Sequence, residues 1–175
     1  MSFFKRIKTI WQATRSDGRS EPEDRNLTNL QVGDILTVDL VDYKLEGVTV
    51  YRSGGKVRRG YLLVDGTDTR YLLVEQKEKL RAYLFENLDA RLENPDEINT
   101  EMIFDDVSYF ETAKGESSVE IKGRSAFVPY DPVYWWLHLS DKGEALLTEW
   151  QNGETVLRRG MPVQPYEVTI LPGSE

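Results

Sequence analysis

The sequence contains no cysteine. Disulfides, thiolate-held metals and cysteine nucleophiles are excluded in one step, and a reducing compartment suits such a chain. Histidine is almost as scarce, with His138 the only one. A single imidazole without thiolates builds no transition-metal site, so neither a metal nor another cofactor is expected. No glycine-rich phosphate loop is present either: Gly54-Gly55-Lys56 lacks the spacing and the following hydroxyl of one. No apolar run approaches the roughly 20 residues of a spanning helix. Lys5, Arg6 and Lys8 interrupt any signal-peptide core, so the expected location is the cytoplasm. Basic excess is also missing, since 22 Lys and Arg stand against 30 Asp and Glu, a net −8. An acidic body repels phosphate backbones, and nucleic acid is not an expected partner. These absences favour a protein that is not an enzyme.

What is there begins with MSFFKRIKTIWQATR, which reverses the charge of the rest. Its bases are Lys5, Arg6, Lys8 and Arg15, and it has no acid. On a helix, Phe3, Phe4, Ile7, Ile10 and Trp11 recur at the spacing of one stripe. Lys5, Lys8, Gln12 and Arg15 lie on or beside the opposite face, and Arg6 lies near the boundary. Residues 1–15 are therefore expected to form a basic amphipathic helix. Its partner would be an anionic membrane surface, the groove of a membrane-associated protein, or the chain's own core. One such helix attaches weakly and in a salt-sensitive way, each base adding about 1 kcal/mol near an anionic leaflet. Residues 16–29, small, polar and carrying Pro22, read as a flexible linker.

From residue 30 the pattern is strands and turns. Tyr43 to Tyr51 alternates, and Ser53-Gly54-Gly55-Lys56 reads as a hairpin turn. Further strands are expected over 59–64, 70–75, 79–86, 117–122, 134–139 and 145–151. A turn is expected at Ala113-Lys114-Gly115, and Asn152-Gly153 is a tight-turn signal. The fold class is mainly β, with antiparallel sheets. Two arrangements stay open: two related β subdomains at 30–89 and 102–171 around a connector at 90–101, or one sandwich-like domain. Residues 172–175 form a tail. The suggestion of internal duplication rests on two echoes at similar offsets. One is Val41-Asp42-Tyr43 against Val107-Ser108-Tyr109. The other is Tyr71-Leu72-Leu73-Val74 against Tyr134-Trp135-Trp136-Leu137.

The ordered set Leu30-Gln31-Val32-Gly33-Asp34, Asp42-Tyr43 to Glu46-Gly47, Tyr51 before a glycine turn, Tyr61-Leu62-Leu63 and Tyr71 to Glu75 resembles the DUF4178 domain family, found mainly in bacteria. Tyr134-Trp135-Trp136 and Leu147-Thr148-Glu149-Trp150 resemble its later aromatic strands. The likeness spans roughly residues 30–171. It departs at Tyr71, where the family pattern has Trp, and at Arg58-Arg59-Gly60, where a Trp-acid pair is usual. The family has no established activity. The resemblance implies a link to membrane maintenance, through neighbouring genes for membrane-remodelling and small membrane proteins and polyamine-related enzymes.

Two further groups stand out. Tyr134, Trp136, His138 and Trp150 are read as core, or as an interface or ligand platform, since Trp and Tyr dominate binding hot spots. Lys56, Arg58 and Arg59 are a solvated hairpin or a second contact to an anionic surface. The function expected is a non-enzymatic adaptor at the inner face of the cytoplasmic membrane, linked to membrane-stress or remodelling machinery. The alternative is a small-ligand-binding β module, its Trp-rich strand lining a pocket for a cationic ligand such as a polyamine. A homo-oligomer is left open.

Overall fold

The computed structural model describes residues 24–174. Eleven strands follow in chain order: β1 (Ile35–Val38), β2 (Val41–Ser53), β3 (Lys56–Asp65), β4 (Asp68–Gln76), β5 (Leu80–Asn87), β6 (Glu101–Phe104), β7 (Val107–Gly123), β8 (Val133–Leu139), β9 (Ala145–Gln151), β10 (Glu154–Val163) and β11 (Thr169–Leu171). Among the described residues there is no α-helix, only single 3-10 turns at Pro95–Glu97 and Pro165–Glu167. The expected helix over residues 1–15 lies outside the described residues. So do residues 16–23 of the expected linker. The remainder of that linker is anchored through Leu27, which is buried and whose carbonyl accepts from the Tyr61 hydroxyl at 2.8 Å.

All strand pairings are antiparallel, in the order β11-β1-β2-β3-β4-β5-β10-β9-β8-β7-β6, and β2 also pairs with β7. That last pairing closes β2-β3-β4-β5-β10-β9-β8-β7 into an eight-stranded barrel. The two expected subdomains are thus one closed body, and the sandwich alternative gives way as well. Each half supplies four consecutive staves, joined through β5 with β10 and β2 with β7. Closure satisfies the ladder groups that an open sheet would leave at its edges.

The long strands β2 and β7 make closure feasible because each changes neighbour partway. One edge of β2 pairs with β3; the other takes β1 through Val41–Lys44 and then β7 through Gly47–Arg52. Likewise β7 takes β6 through Val107–Phe110 and then β2 through Ser118–Gly123. A bulge marks each change, between Leu45 and Gly47 and between Glu111 and Ala113. An extra residue flips every later side chain to the other face. Tyr43 and Leu45 therefore pack in the outer cluster, while Thr49 and Tyr51, of the same alternation, turn to the lumen. No turn forms at Ala113–Gly115, where β7 runs straight through. Gly115 lies close under Trp135: a Cβ there would be 3.1 Å from the ring, tighter than ordinary contact.

The halves repeat one plan. Tight turns at Asp39-Leu40 and Asp105-Asp106, all four residues at positive φ, lead into the two bulged strands. Tyr43 pairs with Leu36 and Tyr109 with Met102, each on the short strand before its turn. The second echo is out of register. By strand order β4 corresponds to β9 and β8 to β3, so Tyr71-Leu72-Leu73-Val74 is not the counterpart of Tyr134 to Leu137. Apolar packing falls into three groups. One fills the lumen around Tyr71, Phe85 and Leu147. A second lies outside β2 to β5, beneath β1, Leu27 and Leu30. The third surrounds Tyr109, Leu146 and Leu157, packed against β6 and the connector.

Candidate functional site in the barrel lumen

The lumen is not a purely apolar core. Alternation along β9 sends Leu147, Glu149 and Gln151 inward, and along β10 it sends Val156 and Arg158 inward. Glu149 is fully buried and Arg158 is 3% exposed. The two form a direct ion pair through Arg158 Nη1 and Glu149 Oε2. Arg158 Nε also donates to Asn87 Oδ1 at 3.1 Å, and its guanidinium lies 3.9 Å from the Tyr71 ring centroid. Tyr71 and Tyr51 are joined through their hydroxyls. Gly60 on β3 makes room for this: a Cβ there would meet the Tyr71 hydroxyl at 1.8 Å.

Arg58 on β3 is the second inward arginine, 7% exposed. Its guanidinium sits over two rings, 3.8 Å from the Trp135 centroid and 5.0 Å from that of Tyr51. Such contacts hold a cation by the negative ring faces. Arg58 Nη2 has no hydrogen-bond partner among the described residues, and no described carboxylate lies within ion-pair distance of it. Glu149 Oε1 and Trp135 Nε1 are also buried without partners. Burial and then the Glu149 charge push the Tyr51 hydroxyl well above its ordinary range, and Tyr71 is raised by the same causes. Burial lowers Arg158, but the Glu149 charge and the neighbouring tyrosines more than offset it, so the net shift is upward. The tyrosines are thus neutral donors at ordinary pH, and Arg158 is a fixed cation.

Two cavities enter the lumen. One, of about 320 Å³, is bordered by Thr49, Tyr71, Asn87, Phe127 and Arg158. The other, of about 200 Å³, is bordered by Tyr51, Arg58, Ser117 and Trp135, with Lys56, Lys77 and Lys114 around it. Strand direction puts these at opposite ends of the barrel. Thr49 and Ser53 mark the two ends on β2, as do Leu62 and Lys56 on β3.

The structure separates the residues singled out from sequence. Phe3, Phe4, Lys5, Arg6, Ile7, Lys8, Ile10 and Trp11 lie outside the described residues. Tyr134, Trp136 and His138 face away from the lumen on β8. Tyr134 packs on Trp150 with centroids 5.8 Å apart, and none of these four borders either luminal cavity. His138 is fully buried, and its Nε2 donates to the Asn99 carbonyl at 2.8 Å, pinning the connector to the barrel wall. The hairpin trio also splits: Arg58 points inward, Lys56 lies at the mouth, and Arg59 borders an outer groove. Arg58 is therefore not part of a solvated hairpin. Sequence reasoning missed Tyr51, Tyr71, Asn87, Glu149 and Arg158, and it named Trp135 only within the aromatic strand. The available signal was a charge at the inward position of a strand otherwise built from apolar residues, as at Glu149 after Leu147. Among the described residues, no group of three or more His, Asp or Glu is placed to hold a metal ion.

A family model described as a domain of unknown function, DUF4178, matches residues 31–165. No curated protein and no solved structure gives a match.

Proposed function

Because the chain belongs to the DUF4178 family, which is defined without a function, we propose from its own geometry that it works by binding rather than by catalysis. The barrel takes a small ligand into its lumen. The basic, aromatic N-terminal segment carries it to an anionic membrane surface or to a membrane-associated protein, where it acts as an adaptor. The observation that carries the binding role is the lumen itself. An eight-stranded barrel is just wide enough to be filled by side chains or to hold one small ligand. Here two arginines, a glutamate and two tyrosines stand where apolar filling would suffice, and cavities from the two ends reach the arginines and the tyrosines. Burying such groups is costly unless they are paired or used.

The membrane role is supported by the charge split between residues 1–15 and the acidic remainder. Co-sedimentation of the full chain with anionic vesicles tests it, alongside a variant carrying K5E, R6E and K8E. The unaltered chain should bind at low salt and be released at moderate salt, while the variant should not bind. Equal behaviour of the two chains would remove the segment as an anchor and leave the barrel as a binding module without that attachment.

A further inference from the structure

We propose that the Arg58 mouth of the barrel is a binding site for a small oxyanion, a phosphate or carboxylate group carried by a small molecule. This deepens the reading of the barrel as a binding module and names its ligand class.

The argument begins with charge. Fully inside, the lumen holds two arginines and one glutamate, whose Oε2 is held by Arg158; Glu75, opposite Arg58 on β4, lies at the mouth and is paired with Lys77. Arg58 remains as a buried cation without a described counter-ion. Isolated charges are not left in protein interiors without a partner or a use. The guanidinium lies over the Trp135 and Tyr51 rings, contacts that use none of the N–H donors along its edge. That edge carries the unpartnered Nη2. A second buried donor, Trp135 Nε1, is unpartnered beside the same cavity. Two buried N–H donors without described acceptors, on two side chains that line one cavity, describe half of an anion site, and the missing half is the anion.

The surroundings agree. Lys56, Lys77 and Lys114 border the cavity, against Glu75 as its one carboxylate. Lys77 is paired with Glu75 at 3.2 Å and Lys114 with Glu111 at 3.1 Å, so these two are partly neutralised, whereas Lys56 has no described ion pair. A positive mouth on a chain of net charge −8 concentrates anions locally. The volume of about 200 Å³ lies below the range typical of drug-sized ligands and suits a small anion or the charged end of a larger one. The opposite mouth does not compete, because Arg158 is already satisfied by Glu149 and Asn87.

The test is a titration of the full-length protein with inorganic phosphate and, separately, glycerol 3-phosphate, followed through the indole N–H resonances of the tryptophans. The Trp135 signal should move saturably at millimolar or lower concentration. R58Q should weaken binding at least about tenfold, and K56Q should weaken it several-fold with a smaller salt dependence. K122Q, on the outer surface, should change nothing. If R58Q does not fold, R58K replaces it: the charge stays, the planar fork is lost, and affinity should still fall. Tighter binding of inorganic phosphate identifies a free anion, and tighter binding of glycerol 3-phosphate identifies a lipid-type headgroup. Either result supports the site. Absence of a saturable Trp135 shift with both probes overturns it, as does full affinity in the Arg58 variant. Vesicle attachment is read independently, so failure here leaves the membrane role standing, and failure there leaves this site standing.

Discussion

Glu149 shows how much one side chain depends on another in this barrel. It is fully buried, and its charge is answered by Arg158 alone. A buried pair is a weak source of net stability, but removing one partner leaves an uncompensated charge. Glu149→Gln should therefore destabilise the fold by about 3–5 kcal/mol, read from urea midpoints at constant slope. Replacing Glu149 and Arg158 together by leucine and methionine should recover most of that loss, because neither charge then remains buried. A double replacement as damaging as the single one would mean that the pair also holds Tyr71 and Asn87 in place. Arg58, resting on its rings with no described ion pair, is the contrasting case.

At the scale of single elements, the tight turns and bulges decide which face each strand presents. Asp39-Leu40 joins β1 to β2 with both residues at positive φ, 50° and 65°. Asp tolerates that region; a leucine there crowds its own backbone. Leu40 is also 98% exposed, so it gains nothing by burial. Leu40→Gly should stabilise the protein by about 0.5–1 kcal/mol, the left-handed strain removed less the chain entropy that glycine adds. Chemical denaturation checks it, and a destabilised variant would show that Leu40 makes a contact beyond the described residues. The equivalent turn, Asp105-Asp106, already has residues suited to its geometry. The bulges that follow both turns have a larger effect. Each moves the later part of its strand from the outer cluster to the lumen, and so brings Tyr51 and Ser117 to the Arg58 cavity.

For the whole molecule, closure makes the barrel one cooperative body with proton-binding groups buried inside it, as at Tyr51 and Tyr71, or against its outer wall, as at Tyr61. Tyr51, Tyr61 and Tyr71 are all raised above the ordinary tyrosine value of 10.0, burial being the main cause in each. Above about pH 10 the unfolded chain loses these protons while the folded chain keeps them. The unfolded state then binds fewer protons, and stability falls as pH rises. The contribution is fully present below pH 10 and is lost progressively above it, toward the raised folded values. Thermal melts across that range should show a fall in Tm that becomes shallower in the Y51F and Y71F double variant. An unchanged slope would place the alkaline sensitivity elsewhere in the chain.

Alternation and turn residues are local properties, and they fixed the strand content, the antiparallel class and several hairpins from sequence alone. Ala145–Gln151 is a strand over the expected residues, and Asn152-Gly153 makes the expected turn. Val41 to Tyr43 and Val107 to Tyr109 each begin a long strand that follows a tight turn. The same local rules misplaced a turn at Ala113–Gly115, because a glycine that admits the Trp135 ring looks like one that bends the chain. They also made Arg58 part of a solvated hairpin. Strand closure, unlike strand formation, depends on residues far apart in sequence. The pairing of Gly47–Arg52 with Ser118–Gly123 joins the two halves and creates an inside. Only that long-range pairing decides that Tyr51, Trp135 and Arg58 meet, that Glu149 faces Arg158, and that Tyr134 and Trp136 face away. Period-two alternation determines that neighbouring side chains point to opposite faces, but which face becomes the lumen is set by how the sheet curls and where its bulges fall.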